Sequence, residues 1–413
     1  MKTAFKTYLL RSGFAFIVLF AITLPFPLYS FRTPGMYLQG LFESLNHWSG
    51  VYLFGITTEF NAGVESDTTG FYLHVFHLLF VAGVAACAWT FIARNDDKQQ
   101  KVRYWFHVSA SYILAFFLLK YGLDKIFKAQ FYLPEPNTLY TPLGFLSKDI
   151  LFWSTLGSSY SYSFFSGLLE VIPALLLFSR RTRMLGGCIA LGVMLHVWMI
   201  NFSFDISVKI LSSYLLLLTI IVIAPYSRNL YRFFISEKVA PEIPEVALVN
   251  TVKAVKMRAL KALVILLMIF ECLFMYVQNG QFNDDLAPRP KFHGAYHIVH
   301  AETQGDAQSH YFGPISKIKR LFIHRRGYLI LQFSDDSMQD YPLALNPSAN
   351  LIYVRTPQGP FAITILKKGK NSFDFQWKEA NGFFTIHAQK QNLQSLPLLQ
   401  NDFIWSTDEY AQK

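Results

Sequence analysis

The sequence predicts a membrane α-helical bundle of about seven transmembrane helices followed by a small all-β domain, an antiparallel barrel or sandwich. Three observations carry that expectation. Hydrophobic residues make up 52% of the 413 positions and charged residues only 15%, a balance far from that of soluble domains. Seven apolar segments are long enough to cross a bilayer. After Gln281 the Leu-rich runs give way to short alternating stretches separated by turn residues.

The segments are residues 13–30, 71–93, 104–127, 160–179, 184–204, 208–225 and 262–277. The first follows Lys2, Lys6 and Arg11, the flank of a signal peptide, but Pro25 and Pro27 lead into no small-residue cleavage pattern, so it is expected to be retained as a helix. Between the first and second spans, Leu38, Leu41, Phe42, Leu45, Trp48, Val51 and Tyr52 recur every three or four residues with Gln39, Glu43, Asn46 and His47 between them. That pattern predicts a helix lying on the outer membrane surface. Residues 148–156 suggest a second such helix, whereas 131–146, with Pro134, Pro136 and Pro142, is too proline-rich for one and is expected to pack over the bundle mouth.

Placing the amino terminus in the cytoplasm puts 17 of the 23 Lys and Arg that precede residue 282 on the inside. A bias of that size predicts a multi-pass protein of the cytoplasmic (inner) membrane with its carboxy-terminal domain outside. The net charge of +10 is then explained by attraction to the lipid bilayer, and no nucleic-acid partner is expected. The expected organisation is an amino-terminal transmembrane hairpin with its interfacial helix (1–103), a four-helix membrane core (104–227), a basic cytoplasmic linker (228–261), a seventh transmembrane helix (262–281) and an extracytoplasmic β domain (282–413). In that domain, strands are expected at 320–325, 328–333, 351–355, 361–366, 373–377 and 383–388.

Ionisable residues inside apolar spans are costly, so each is a candidate site. Glu170 stands near the middle of the fourth span and must be paired, hydrogen-bonded or protonated. In the third span Tyr121 and Lys125 share one helical face, Lys120 and Asp124 share the next, and Gly122 admits a second backbone. Lys125 can snorkel outward or turn inward to pair with Glu170 or Asp205. Asn201, Asp205 and Lys209 follow one another at intervals of four across the turn between the fifth and sixth spans. For all of these, a structural role as helix-to-helix ion pair or loop solvation competes with a catalytic one. Asp67, Thr68 and Thr69 read as an N-cap cluster for the second span.

His74, His77, His107 and His196 are single residues in spans and read as interhelical hydrogen-bond partners. His293, His297 and His300 have a loose metal-like spacing, but only the first two share a strand face, so no metal site is assigned. Cys87, Cys188 and Cys272 lie in apolar segments without a CxxC, which argues against disulfide, zinc and dithiol chemistry.

The run Tyr121-Gly122-Leu123-Asp124-Lys125-Ile126-Phe127, then Gly167-Leu168-Leu169-Glu170-Val171, Arg180-Arg181-Thr182-Arg183-Met184-Leu185-Gly186, Asn201-Phe202 and Asp205-Ile206-Ser207-Val208-Lys209 resembles the DoxX-like integral membrane protein family. The likeness covers residues 104–225, and the whole plan is similar to longer bacterial members that end in a Trp-containing segment, here Phe403-Ile404-Trp405. The resemblance implies a four-helix core and a quinone-linked membrane oxidoreductase or its membrane subunit, with Glu170, Lys125, Asp205 and Lys209 as catalytic residues. Tyr121, Asn201 and Phe127 would bind the cofactor, and electrons would come from an extracytoplasmic donor. The alternative is a non-enzymatic envelope protein that anchors its β domain to bind a partner or lipid.

Overall fold

The computed structural model describes residues 2–24, 32–93, 99–235, 251–305, 308–346, 348, 350–380 and 382–400. The expectations resting on Pro25, Pro27, residues 236–250 of the basic linker expected at 228–261 and the Phe403-Ile404-Trp405 segment fall outside the described residues. The chain divides into two compact units, one made of 1–130 and 161–284, the other of 131–160 and 285–413.

The first unit is helical. Its elements are α1 (Lys2–Thr23), α2 (Arg32–Tyr52), α3 (Thr69–Ile92), α4 (Gln99–Ile126), and, beyond the residues given to the second unit, α7 (Tyr160–Leu177), α8 (Arg183–Ser203), α9 (Lys209–Ile223), α10 (Ser227–Phe234) and α11 (Thr251–Asn279). Among the described residues, seven helices are long and apolar enough to cross a membrane: Ala4–Thr23, Thr69–Ile92, Gln99–Ile126, Tyr160–Leu177, Arg183–Ser203, Lys209–Phe234 and Val255–Leu286. The protein is therefore a multi-pass membrane protein. The first span starts nearer the amino terminus than its apolar run alone indicates, because the helix takes in the basic residues before Gly13.

The core is formed by Leu114, Leu118, Ala174, Leu177, Met194, Leu218 and Val222, while Phe80, Val84, Leu185 and Leu266 face outward. Apolar residues on the outer surface of such a bundle have lipid as their solvent. The same inversion marks α2. Asn46 and Ser49 are buried against the protein while Leu41, Trp48 and Tyr52 are exposed, and Asn46 meets the ring of His77 on α3 at 3.1 Å. Single histidines do link helices: His74 meets Thr23 of α1 at 2.9 Å, and His107 of α4 donates to the Val222 carbonyl of α9 at 2.8 Å.

The second unit is a closed barrel of eight antiparallel strands in sequence order, β1 (Gly294–Gly305), β2 (Ile318–His324), β3 (Tyr328–Phe333), β4 (Met338–Asn346), β5 (Leu351–Thr356), β6 (Gly359–Lys367), β7 (Ser372–Glu379) and β8 (Gly382–Lys390). Pairing of β1 with β8, from Tyr296 opposite Lys390 to Gly305 opposite Gly382, closes the sheet and removes its edges. This decides between barrel and sandwich. The six strands expected from alternation are β2, β3, β5, β6, β7 and β8. β1 and β4 escaped notice because β1 buries only its first three residues fully and bulges between Ile298 and His300, and β4 carries Pro342 with few fully buried positions.

Ile352, Val354, Ile363, Ile365, Phe375, Trp377, Phe384 and Ile386 fill the barrel core, so its interior is packed side chain rather than lumen. The turn at 309–313 adds Phe312, packed on Tyr341, Phe361 and Trp377. It is held by buried Glu379, which accepts from the Ser309 hydroxyl, the His310 amide and the Trp377 indole.

Residues 131–146, expected to pack over the bundle mouth, and 148–156, expected as a surface helix, group with the barrel strands in one compact unit. They contain α5 (Pro136–Leu139) and α6 (Lys148–Gly157). Glu135, the N-cap residue of α5, is buried and receives Arg325 Nε at 2.9 Å and His293 Nε2 at 3.0 Å, with His324 Nε2 at 3.7 Å. Arg325 also lies over the Tyr132 ring at 3.9 Å. Asp285 accepts from the Leu133 amide, and Gln332 donates to the Tyr140 carbonyl. A proline-rich connection thus becomes part of the barrel unit through charged and backbone contacts, which a search for apolar periodicity does not detect.

Candidate functional site

The site starts from two glycines. A Cβ on Gly122 would lie 2.9 Å from the Gly167 carbonyl, and one on Gly167 would lie 2.5 Å from the Gly122 carbonyl, so α4 and α7 cross backbone to backbone as only small residues permit. Ser163 donates to the Lys125 carbonyl at 2.8 Å across the same crossing. One turn beyond each glycine stand Lys125 and Glu170. Lys125 Nζ donates to both carboxylate oxygens, at 3.0 and 2.8 Å, with the two residues only 7% and 3% exposed. A pair so buried is held by geometry, since losing either partner strands a charge in an apolar bundle.

Tyr121 connects this pair to a cavity. Lys125 Nζ lies 5.9 Å from the centre of the Tyr121 ring, and Tyr121 also lines a space of about 360 Å³ with Lys120, Asp124, Ala129, Gln130, Glu271, Cys272, Met275 and Tyr276. Within it Lys120 pairs with Asp124, Tyr276 of α11 donates to the same carboxylate, and Lys120 Nζ sits 5.8 Å from the Tyr276 ring centre. The volume lies at the low end of the range for small-molecule sites. Chemically the arrangement offers two aromatic faces, an ammonium donor, carboxylates and a second ion pair behind Tyr121 through which protons can be exchanged.

The other expected residues lie elsewhere. Phe127 packs on Tyr276 and Phe282, with ring centres 4.6 and 5.4 Å away, so it fixes the end of α11. Asp205 and Lys209 form their own pair at 2.7 Å, with the Asp205 side chain 82% exposed. Asp205 takes a left-handed backbone, φ 54°, and terminates the turn after α8. Asn201 is buried in the last turn of α8, where its carbonyl accepts the Ile206 amide at 2.9 Å.

Of the Asp67-Thr68-Thr69 cluster, Thr68 caps the second span by accepting from the Phe71 amide. Asp67 caps α9 instead, accepting from the amides of Lys209 at 2.7 Å and Ile210 at 3.0 Å. Tyr276 and Gln130 also went unnoticed. Neither is charged: the place of Tyr276 beside Asp124 depends on how α11 packs on α4, for which sequence spacing carries no signal, whereas Gln130 follows α4 directly and its amide bonds the Asp124 carbonyl. The loosely spaced histidines of the barrel unit separate as well, His293 going to Glu135 and His300 stacking on His387 with ring centres 6.2 Å apart.

No family model matches the chain, and no solved structure matches it. The uncharacterized protein YwoB of Bacillus subtilis (strain 168) is 32% identical over 128 residues, covering 30% of this chain and 80% of that protein. Identity at that level across four-fifths of the relative places this chain, through that stretch, in the family of Bacillus subtilis YwoB.

Proposed function

We propose that the protein is a DoxX-like membrane protein that binds a quinone in the cavity between α4 and α11, acting as a quinone-linked oxidoreductase or its membrane subunit. The observation that carries this reading is the buried Lys125–Glu170 pair set behind Tyr121, whose other side lines the cavity. A quinone head is a flat apolar ring with two carbonyl acceptors. The Tyr121 and Tyr276 rings suit its faces, and Lys120 supplies a donor. Reduction of a quinone takes up two electrons and two protons. The carboxylate and ammonium groups around Tyr121 serve the protons, and an extracytoplasmic donor supplies the electrons. This reading takes the amino terminus to lie in the cytoplasm and the barrel to face the donor.

One observation favours the second reading, an envelope protein that anchors its β domain for a partner or lipid: the interspan segment 131–160 belongs to the barrel unit, so the helical chain is interrupted to build that unit. The two are separated by extracting full-length protein, purified in mild detergent, with solvent and identifying what it holds by mass spectrometry. A quinone present near one per chain, and lost from the charge-free double variant Lys125→Met/Glu170→Leu while that variant stays folded, is the expected result. Wild-type protein that carries no quinone and takes none up when it is added would end the redox reading.

A further inference from the structure

The barrel unit contains a second cavity, of about 400 Å³, lined by Asn137, Thr138, Thr141, Phe145, Leu146, Ser147, Ile150, Asp336, Ser337 and Met338. It lies between the α5–α6 segment and the hairpin joining β3 to β4. Its polar lining is rich in acceptors, with the Asn137 amide nitrogen and the Thr138 hydroxyl as donors. Asn137 Oδ1 is buried without a hydrogen-bond partner. Asp336 already accepts from Lys319 at 2.7 Å and Gln332 at 3.1 Å, which leaves further lone pairs on the carboxylate. The hydroxyl protons of Thr141, Ser147 and Ser337 are committed to the Asn137 carbonyl, Asp149 and Asp335, so each of these side chains has only oxygen lone pairs left to offer. A buried carbonyl oxygen with no donor is unfavourable, and a donor-bearing ligand removes that cost.

Two features narrow the ligand. Lys319 neutralises Asp336 within the cavity wall, which weakens attraction for a further cation. Phe145, Leu146, Ile150 and Met338 supply the apolar part of the lining, with Phe145 exposed and Ile150 40% exposed. The hairpin that carries Asp336 is held rigid, with the Ser337 amide and hydroxyl both bonded to Asp335 and the Phe333 amide to the Ser337 carbonyl. From this geometry we infer a binding site for a neutral polyhydroxylated ring, a hexose unit whose hydroxyls donate to Asn137, Asp336 and the spent hydroxyls while its C–H face lies on Phe145. The site is in the barrel unit and is independent of the quinone reading.

The test uses full-length protein in phosphatidylcholine nanodiscs, because glycosidic detergents would compete. Methyl β-glucoside, methyl β-galactoside and N-acetylglucosamine are titrated at millimolar concentration by saturation-transfer NMR, with ethanolamine as the cationic comparison. Transfer to the ring C–H protons of at least one sugar is expected, with affinity roughly tenfold lower in Asn137→Ala, about 1.4 kcal/mol, and abolished by Ile150→Trp, which fills the cavity from a partly exposed position. In a second arm a hexosyl diacylglycerol is placed in the nanodisc: suppression of transfer to the free sugar marks a glycolipid as the source, and unchanged transfer marks a soluble glycan. Transfer to no sugar, transfer to ethanolamine alone, or undiminished sugar transfer in folded Ile150→Trp overturns the proposal. If Asn137→Ala does not fold, Ile150→Trp decides.

Discussion

Lys125 and Glu170 show how much a residue's meaning depends on its partner. Each alone is an expensive charge in an apolar span, and together they form a two-pronged pair at 3.0 and 2.8 Å. Replacing only Lys125 with Met should cost on the order of 3–5 kcal/mol, because Glu170 is left uncompensated. The double variant Lys125→Met/Glu170→Leu should recover most of that. Thermal unfolding in detergent reads the difference, and a single Lys125→Met that melts with wild type would show that the pair does not hold the crossing. Lys125 and Glu170 were both legible as candidates from their depth in the spans. Their pairing was one of three outcomes open to Lys125, which could also snorkel outward or pair with Asp205. Asp205 instead bonds Lys209 on a left-handed turn, and left-handed backbone at an aspartate leaves little trace in sequence.

At the scale of elements, helices were easier to read than their crossings. Long apolar runs gave the five middle spans to within about five residues, since a bilayer demands about 20 apolar residues whatever the fold. The first helix, Lys2–Thr23, starts well before 13, and the last, Thr251–Asn279, extends well beyond 262–277 at its start. The α4–α7 contact rests on Gly122 and Gly167, of which Gly122 stood out as a place where another backbone could approach. A Cβ at Gly122 meets Val171 Cγ2 at 2.7 Å and Val171 N at 3.1 Å as well as the Gly167 carbonyl, leaving a larger side chain no way to relax without parting the helices. Gly122→Leu should therefore lower the yield of folded protein and separate Lys125 from Glu170. Cysteines placed at Ser163 and Ile126 for crosslinking measure the crossing directly; crosslinking equal to that of the glycine parent would refute the account. Strands were legible where burial alternates, as in β5 with Ile352, Val354 and Thr356 inside, and illegible where a bulge or proline broke the alternation, as in β1 and β4.

For the whole molecule, the least foreseeable feature is that a connection between two membrane spans completes the barrel unit. Its centre is Glu135. Burial pushes that carboxyl up, but the His293 hydrogen bond and the charges of His324, Arg325 and His293 outweigh burial and hold it below its ordinary value. His324 is also held below the ordinary imidazole value, chiefly by burial, with Glu135 opposing and Arg326, Arg325 and His293 adding to the shift. Both folded values are depressed, so both groups contribute stability that is complete above their unfolded values and is lost as pH falls through the folded ones. The loss for His324 begins below about pH 6.5 and that for Glu135 below about pH 4.3. Backbone hydrogen exchange over 131–141, corrected for intrinsic rates, should accelerate in that order as pH is lowered. Arg325→Gln should move the second step to higher pH, because the carboxylate loses one of the charges that hold its value down. Exchange protection unchanged well below the ordinary glutamate value, about pH 4.3, would show that this cluster does not fasten the segment.

The sequence by itself determined the solvent of the chain and the class of each half. The length of its apolar runs requires a bilayer, and the change from long runs to two-residue alternation requires a sheet with one face buried. It also singled out the buried charges, because the penalty for an ion in an apolar span is local and independent of fold. Tertiary structure decided everything that depends on two distant segments meeting: the choice of Glu170 for Lys125, the capping of α9 by Asp67 from 142 positions away, the cavity that Tyr276 completes with Asp124, and the closure of β1 on β8. These contacts depend on distance and orientation, and periodicity along one chain specifies which face an element buries but not what it is buried against.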